Sequence, residues 1–188
     1  MIHHFDHLAR IYDRFAGQPD LTLLQDLLGL PVEGRLLDAG GGTGRVSYPF
    51  LQQAGGIVVA DASLPMLRAA EKKGRFLLVR SLAENLPFGN GSFERILVVD
   101  ALHHFQDAHK STGELSRVLG KGGRLVIEEP DLRRWPVKAV ALAEKLLLMK
   151  SRFFSPPAIL GMLGQFGLSA RIAASDRFRV WIAAEKPS

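Results

Sequence analysis

The run LLDAGGGTGR, Leu36 to Arg45, carries an apolar segment that ends on an acid, Asp38, and then turns through three alternate glycines, Gly40, Gly42 and Gly44. Glycine admits positive φ and lets a ligand approach where a Cβ would collide, so glycines placed directly after a strand suggest a ligand lying on the main chain. The spacing narrows the choice of ligand. A dinucleotide fingerprint needs G-x-G-x-x-G, and counted from Gly40 its third glycine falls on Arg45. On these residues alone, a tight strand-to-helix connection with no ligand is the alternative.

A second acid-terminated apolar run follows. IVVAD, Ile57 to Asp61, reads as a buried strand whose carboxylate lies 23 residues beyond Asp38, about the distance at which a strand-helix-strand unit delivers an acid to ribose hydroxyls. Asp61 can accept from two donors at once, which suits a cis-diol. In DASLPML, Ser63 is placed to cap a helix and Pro65 sits in its first turn, where the missing N–H costs nothing. Met66 and Leu67 supply apolar surface.

Further segments keep the same order. SLAENLPFGNGSFERILVVDALHHF, Ser81 to Phe105, holds a strand end, a polar loop with Asn90-Gly91 and a fourth apolar strand, Phe93 to Val99. KGGRLVIEEP, Lys121 to Pro130, reads as a tight turn and fifth strand. Near the start stands FDHLARIYD, Phe5 to Asp13. Together these resemble the class I S-adenosylmethionine-dependent methyltransferases: motif I in LLDAGGGTGR, the D-x-S-x-x-M-L run, the A-E-x-L-P-F segment and the F-D-x-x-A-x-x-Y-D opening. That opening is shared by the subgroup that includes ubiquinone and menaquinone biosynthesis methyltransferases. The likeness covers roughly residues 5 to 130.

The resemblance implies a set of cofactor contacts for S-adenosylmethionine: Asp38, Gly40, Gly41, Gly42 and Gly44 around the methionine moiety, and Asp61 with Ala62 and Met66 around the ribose. Leu82, Ala83 and Glu84 would meet the adenine edge, Asp100 would lie at the end of the fourth strand, and Tyr12 would close over the site. Two positions depart from the family pattern. Gly41 stands where cysteine is common, and Leu82 stands where an aspartate often accepts from the adenine amine, which leaves Glu84 as the nearest substitute acceptor.

Composition agrees with an intracellular enzyme of this kind. The 188 residues suit one domain, expected to span 1–188, and 47% hydrophobic residues are enough for a core. There is no repeat, low-complexity tract or long charge block. The N-terminus lacks a basic region followed by an apolar stretch, and apolar runs stay far below the roughly 18 residues that span a bilayer. A cytoplasmic location is the expectation. The absence of cysteine excludes disulfides, thiolate metal sites and cysteine nucleophiles.

Coarse periodicity gives a helix near Asp20 to Gly29, a strand near Arg35 to Asp38, and alternating elements through Glu129. Such alternation implies right-handed crossovers and a mostly parallel α/β sheet covered on both faces. Ser155 with Pro156 and Pro157 opens another helix that Gly167 ends. Two more strands, Ser169 to Ala174 and Phe178 to Glu185, flank a turn at Ser175 and Asp176, so one strand becomes antiparallel. The fold expected is therefore a doubly wound, Rossmann-like seven-stranded sheet with an antiparallel C-terminal hairpin strand. The resemblance supplies the strand order 3-2-1-4-5-7-6.

Charge is unevenly spread. Residues 1–130 hold 14 Lys or Arg against 15 Asp or Glu, whereas residues 131–188 hold 10 against 4. Arg133, Arg134, Lys138, Lys145, Lys150 and Arg152 can form a solvated helix face, or attract an anionic substrate or a membrane surface. The amphipathic stretch Arg133 to Phe154, with Trp135, Phe153 and Phe154 at its ends, reads as core packing or as an apolar acceptor wall suited to a lipid. Peripheral membrane contact stays open, as does oligomeric state. The fourth strand leads into VVDALHHF, without the N-P-P-Y or D-P-P-Y loop that grips a base, so a small-molecule acceptor ranks above RNA.

His3 and His7, and the adjacent His103 and His104, lack a third clustered ligand, and no metal site is expected. His104 and Asp100 follow the fourth strand, whose end faces the crevice of a doubly wound sheet, and are the candidate catalytic groups. Glu128 is a further candidate for acceptor or cofactor contact. The expected reaction is in-line displacement at a sulfonium methyl by an acceptor O, N or C, to which the protein contributes orientation, desolvation and a base. A cofactor-binding regulatory protein without catalysis and an RNA methyltransferase are the alternatives, and the glycine spacing disfavours a nucleotide-dependent oxidoreductase.

Overall fold

Acid-terminated apolar runs become the central strands. The computed structural model describes residues 19–131 and 152–188, with strands β1 (Val32–Ala39), β2 (Ala54–Asp61), β3 (Leu77–Arg80), β4 (Phe93–Val99), β5 (Leu119–Pro130), β6 (Ser169–Ser175) and β7 (Arg179–Glu185). They form one sheet in the order β3-β2-β1-β4-β5-β7-β6. Strands β1 to β5 pair in parallel, while β7 runs antiparallel to both β5 and β6.

Alternate side chains reach opposite faces of a strand, and the buried runs divide accordingly. Leu37, Val58, Ile96, Leu125 and Ile182 join one apolar cluster with Leu115 of α3 (Ala108–Val118) and Ile159 of α4 (Pro156–Gln165). Leu36, Val59, Leu97, Val126 and Trp181 join the other, with Leu24 and Leu28 of α1 (Leu21–Leu28) and Leu67 of α2 (Leu64–Glu71). Central parallel strands buried on both faces read as unbroken apolar runs, which is why the sequence shows no alternation there.

Local signals set the helix ends. Asp20 accepts from the amide of Leu23 at 3.0 Å and Gly29 takes the left-handed C-cap conformation. Ser63 caps α2, and Asp107 caps α3 by accepting from Lys110 at 2.9 Å. The C-terminal hairpin turns later than the sequence suggests: β6 continues through Ser175 and β7 begins at Arg179. The Asp176 carboxylate accepts from the amides of Phe178 and Arg179, which stabilises a turn that includes Phe178 and moves that residue out of the strand.

The stretch FDHLARIYD with Tyr12, and Arg133, Arg134, Trp135, Lys138, Lys145 and Lys150, lie outside the described residues. Among the described residues no helix is long and apolar enough to cross a membrane.

The hairpin is fastened to β5 by a buried charge. Glu128 is fully buried and accepts from Arg179 at 2.7 Å and from the Trp181 indole at 2.9 Å. This engagement removes Glu128 from the groups available to an acceptor. Glu128→Ala should destabilise the protein by about 2 kcal/mol, because a partly buried cation and a buried indole N–H lose their acceptor together. Urea unfolding checks this; Glu128→Gln, which keeps an acceptor for the indole, should lose less.

Candidate active site

The site is built where β1, β2, β3 and β4 end side by side. Gly40, Gly42 and Gly44 all take positive φ, and the amide of Gly40 donates to the Ala60 carbonyl at 2.8 Å, tying the turn to β2. The glycines differ in what a side chain would meet. A Cβ on Gly40 would fall 2.7 Å from the Ala101 Cβ, and one on Gly44 would fall 2.8 Å from the Phe76 ring. One on Gly41 would overlap the Asp38 carboxylate. Packing within the fold therefore accounts for three of the four. At Gly42 a Cβ would have room, meeting nothing nearer among the described residues than Met66 Sδ at 3.9 Å and Asp61 Oδ2 at 4.0 Å.

Asp61 closes one side of that space. Its Oδ2 accepts from the Gly42 amide at 2.9 Å and its Oδ1 from the Ser63 amide at 2.8 Å. A carboxylate offers about four lone-pair sites, so both oxygens keep capacity for further donors. Burial pushes its pKa above the ordinary carboxylate value, and the two amides work against that rise. Asp38 lies beneath the turn, 2% exposed, and its Oδ2 has no hydrogen-bond partner among the described residues. Burial, reinforced by the charge of Asp61, pushes Asp38 up to about 6, against the opposing influence of Ser47 and Arg45.

Past β3, the Ser81 amide donates to the Asp61 carbonyl at 3.1 Å, which brings the 81–85 turn to the same rim. Leu82 is 39% exposed there and Ala83 is buried. Glu84 is buried, and its Oε1 accepts from the Asp107 amide at 3.0 Å. The Arg80 side chain reaches the Ala62 carbonyl at 3.1 Å. The loop is held from behind by Glu114, which accepts from the Leu86 amide and from Arg117.

At the end of β4, Asp100 takes a left-handed φ of 49°, and its amide donates to the Glu128 carbonyl. Burial, together with the charges of Glu129 and Glu128, pushes Asp100 up to about 6. Burial and neighbouring His103 hold His104 down at about 3, so it is a neutral imidazole and a weak base near neutral pH. Sequence reasoning passed over the pair that shapes this loop. Buried Glu129 accepts from the amides of Ala101 and Leu102 and meets His103 Nδ1 at 2.7 Å. The His103 ring stacks on Phe153 at 4.5 Å, and its carbonyl accepts from the Arg152 amide. The one signal in the sequence was two adjacent acids, Glu128 and Glu129, ending an apolar strand. Among the described residues no three His, Asp or Glu gather as a metal site.

Glycine-turn, acid and β4-end residues thus lie along one edge of the sheet, and Tyr12 lies outside the described residues. The room beside Gly42 and the Asp38 oxygen that has no partner among the described residues fit a ligand with a cationic group and hydroxyl donors, as S-adenosylmethionine has. Comparison with known proteins agrees. The methyltransferase domain family matches residues 37–127. A demethylmenaquinone methyltransferase of Streptomyces avermitilis is 32% identical over 157 residues, covering 74% of this chain and 67% of the relative. One from Thermus thermophilus is 41% identical over 104 residues, covering 50% of this chain and 46% of the relative, so the chain spans about half of that protein. The crystal structure of a Thermotoga maritima S-adenosylmethionine-dependent methyltransferase, described as a possible histamine N-methyltransferase, superposes with a TM-score of 0.80. It shares 26% identity and covers 99% of this chain and 100% of its own.

The sheet order, the glycine turn and these matches define one class: the chain belongs to the class I S-adenosylmethionine-dependent methyltransferase family. Within it, the chain resembles the demethylmenaquinone and ubiquinone/menaquinone biosynthesis enzymes.

The buried acid makes a stability prediction. A carboxyl raised in the folded state stabilises it below its unfolded pKa, and that contribution is lost as pH rises through the folded value. For Asp38 the window runs from 3.8 to about 6. Asp38→Asn should therefore stabilise the ligand-free protein at pH 7.5 by up to about 3 kcal/mol, with the gain fading toward pH 4. Chemical unfolding at the two pH values measures it.

Proposed function

We propose that this protein transfers a methyl group from S-adenosylmethionine to a small-molecule acceptor of the aromatic quinone-precursor type. The observation that carries the reading is the room beside Gly42 among the described residues, bounded by the carboxylate of Asp61 and lying on the turn above Asp38. The acceptor class is supported by the Thermus and Streptomyces relatives, whose names specify demethylmenaquinone.

When bound, S-adenosylmethionine supplies a methyl already activated by its sulfonium, so the protein needs no nucleophile of its own. The turn Gly40–Gly44 would seat the methionine moiety, with Asp38 the carboxylate for its ammonium group. Asp61 would hold the ribose with the lone pairs its two backbone amides leave. Met66 would supply an apolar wall, while Leu82 and Ala83 would border the adenine. Glu84 supports the loop through the Asp107 amide, and its remaining lone pairs are the carboxylate acceptors nearest the adenine amine in this reading.

Asp100 is the base of this reading. Its carboxyl is pushed up to about 6, near the operating pH at which a general base works best. It would take the proton that the acceptor gives up as the methyl–sulfur bond breaks, its electron pair leaving with S-adenosylhomocysteine, and the acceptor–methyl bond forms. His104, neutral throughout this range, orients the acceptor by hydrogen bonding. Phe153, stacked on His103, is an aromatic surface beside the same loop and suits a planar acceptor.

Calorimetry with S-adenosylhomocysteine tests the cofactor site. Hydrogen bonds to a charged group are worth about 1.5 to 3 kcal/mol, so Asp61→Ala should weaken binding at least about tenfold. Gly42→Val should abolish it, and because a β-branched residue is strained at the left-handed φ of Gly42, thermal unfolding of the variant is measured beside binding; unchanged affinity in both variants removes these residues from the site. Leu82→Asp should strengthen binding a few-fold, by up to about 1 kcal/mol, if the adenine amine lies at this rim. Turnover of methyl-labelled S-adenosylmethionine with hydroquinone acceptors tests the reaction. Asp100→Asn should stop it with S-adenosylhomocysteine affinity kept within a few-fold.

A further inference from the structure

Asp38 is an expensive residue for an empty site. It is 2% exposed, its Oδ2 has no hydrogen-bond partner among the described residues, and the Gly41 backbone closes over its carboxylate. A buried charge is tolerated only when paired or hydrogen-bonded; otherwise the group neutralises itself by keeping a proton. The charges acting on Asp38 are Asp61, from the end of β2, and Arg45, from the glycine turn, with the Ser47 hydroxyl beside them. On its other side β4 brings apolar Leu97 opposite it. Asp61 accepts from the Gly42 and Ser63 amides, hydrogen bonds that favour its ionised form against the upward push of burial.

We propose that Asp38 holds a proton in the ligand-free protein and releases it when an α-ammonium group is seated on the glycine turn, so that cofactor capture is coupled to proton release. The inference rests on the reading of the turn as the seat of the methionine moiety. A cation placed there supplies the charge partner that the buried oxygen lacks, and the O–H bond of Asp38 gives its proton to solvent as the ion pair forms. With Asp38 at about 6 when ligand-free, the coupling is strongest at and below that pH. Binding then weakens as acid re-protonates the group that would meet the ammonium. The device favours ligands that carry the amino-acid end over truncated thioethers that share only the adenosine.

The test uses the full chain and two ligands, S-adenosylhomocysteine and 5′-methylthioadenosine, which has the same thioether and adenosine without the ammonium. Calorimetry at pH 5.5 in two buffers of different ionisation enthalpy counts the protons released. S-adenosylhomocysteine should release about three quarters of a proton and bind about tenfold more weakly at pH 5.0 than at pH 7.5. Methylthioadenosine should release none and show no such change. In Asp38→Asn, S-adenosylhomocysteine should bind more weakly at pH 7.5 and lose the pH dependence. The comparison of the two ligands stands on the unsubstituted protein, so it holds even if the variant does not fold. Release of the same proton by methylthioadenosine would move the effect to Asp61 and overturn the inference. Equal S-adenosylhomocysteine affinity at both pH values with no proton released would overturn it while leaving the cofactor site intact. Failure of S-adenosylhomocysteine to bind at any pH would overturn the site reading itself.

Discussion

One carboxylate joins the parts of this site. Asp61 ends β2 and takes the amide of Gly42 on one oxygen and the amide of Ser63 on the other. It thereby fixes the turn after β1 to the start of α2. Without that bridge, the left-handed turn and the helix entry would be adjacent segments with no shared acceptor. Charge-assisted hydrogen bonds of this kind are about twice as strong as neutral ones. The same bond aligns Gly42 toward Met66, and with it the open space that a ligand would fill.

The other acids at the strand ends repeat the principle with different partners. Glu128 is neutralised by Arg179 and Trp181, and Glu129 is absorbed by two amides and His103. Among the described residues, Asp38 and Asp100 are the two whose burial is not matched by such partners, and both are pushed up to about 6. Structural acids and candidate working acids therefore sort by what receives them. A carboxylate fully engaged by the fold has little left for chemistry, whereas one that the fold leaves incompletely served can respond to a ligand.

Much of this was legible in the sequence, for identifiable reasons. Strands β1, β2 and β4 are buried on both faces and flanked by glycine and acid, so their apolar runs and ends stand out without tertiary knowledge. The cap at Ser63 is local, and so was readable. The strand order required the family resemblance, because nothing in the period of β6 and β7 says that β7 inserts beside β5. Roles decided by distant contacts were hidden. The contact between Glu84 and the Asp107 amide, brought near by the packing of α3, could not be read from the sequence. Glu129 was hidden by its neighbour, since two adjacent acids look alike in a sequence and only the alternation of the strand sends them to different partners.

The placement of β7 also carries a consequence for how the chain assembles. β7 follows β6 in the sequence yet lies between β6 and β5. Neither of the last two strands can dock finally on the parallel sheet until the second has been made. During synthesis β5 presents an open edge, with Glu128 still lacking Arg179 and Trp181. Open edges invite wrong pairing with other chains, and long-range closures are slow because their loop entropy is lost before contacts compensate for it. The buried acid on β5 acts as a guard in that interval: an unpaired charge resists burial against a foreign strand, and only the hairpin that brings its own cation and indole can close the edge without penalty.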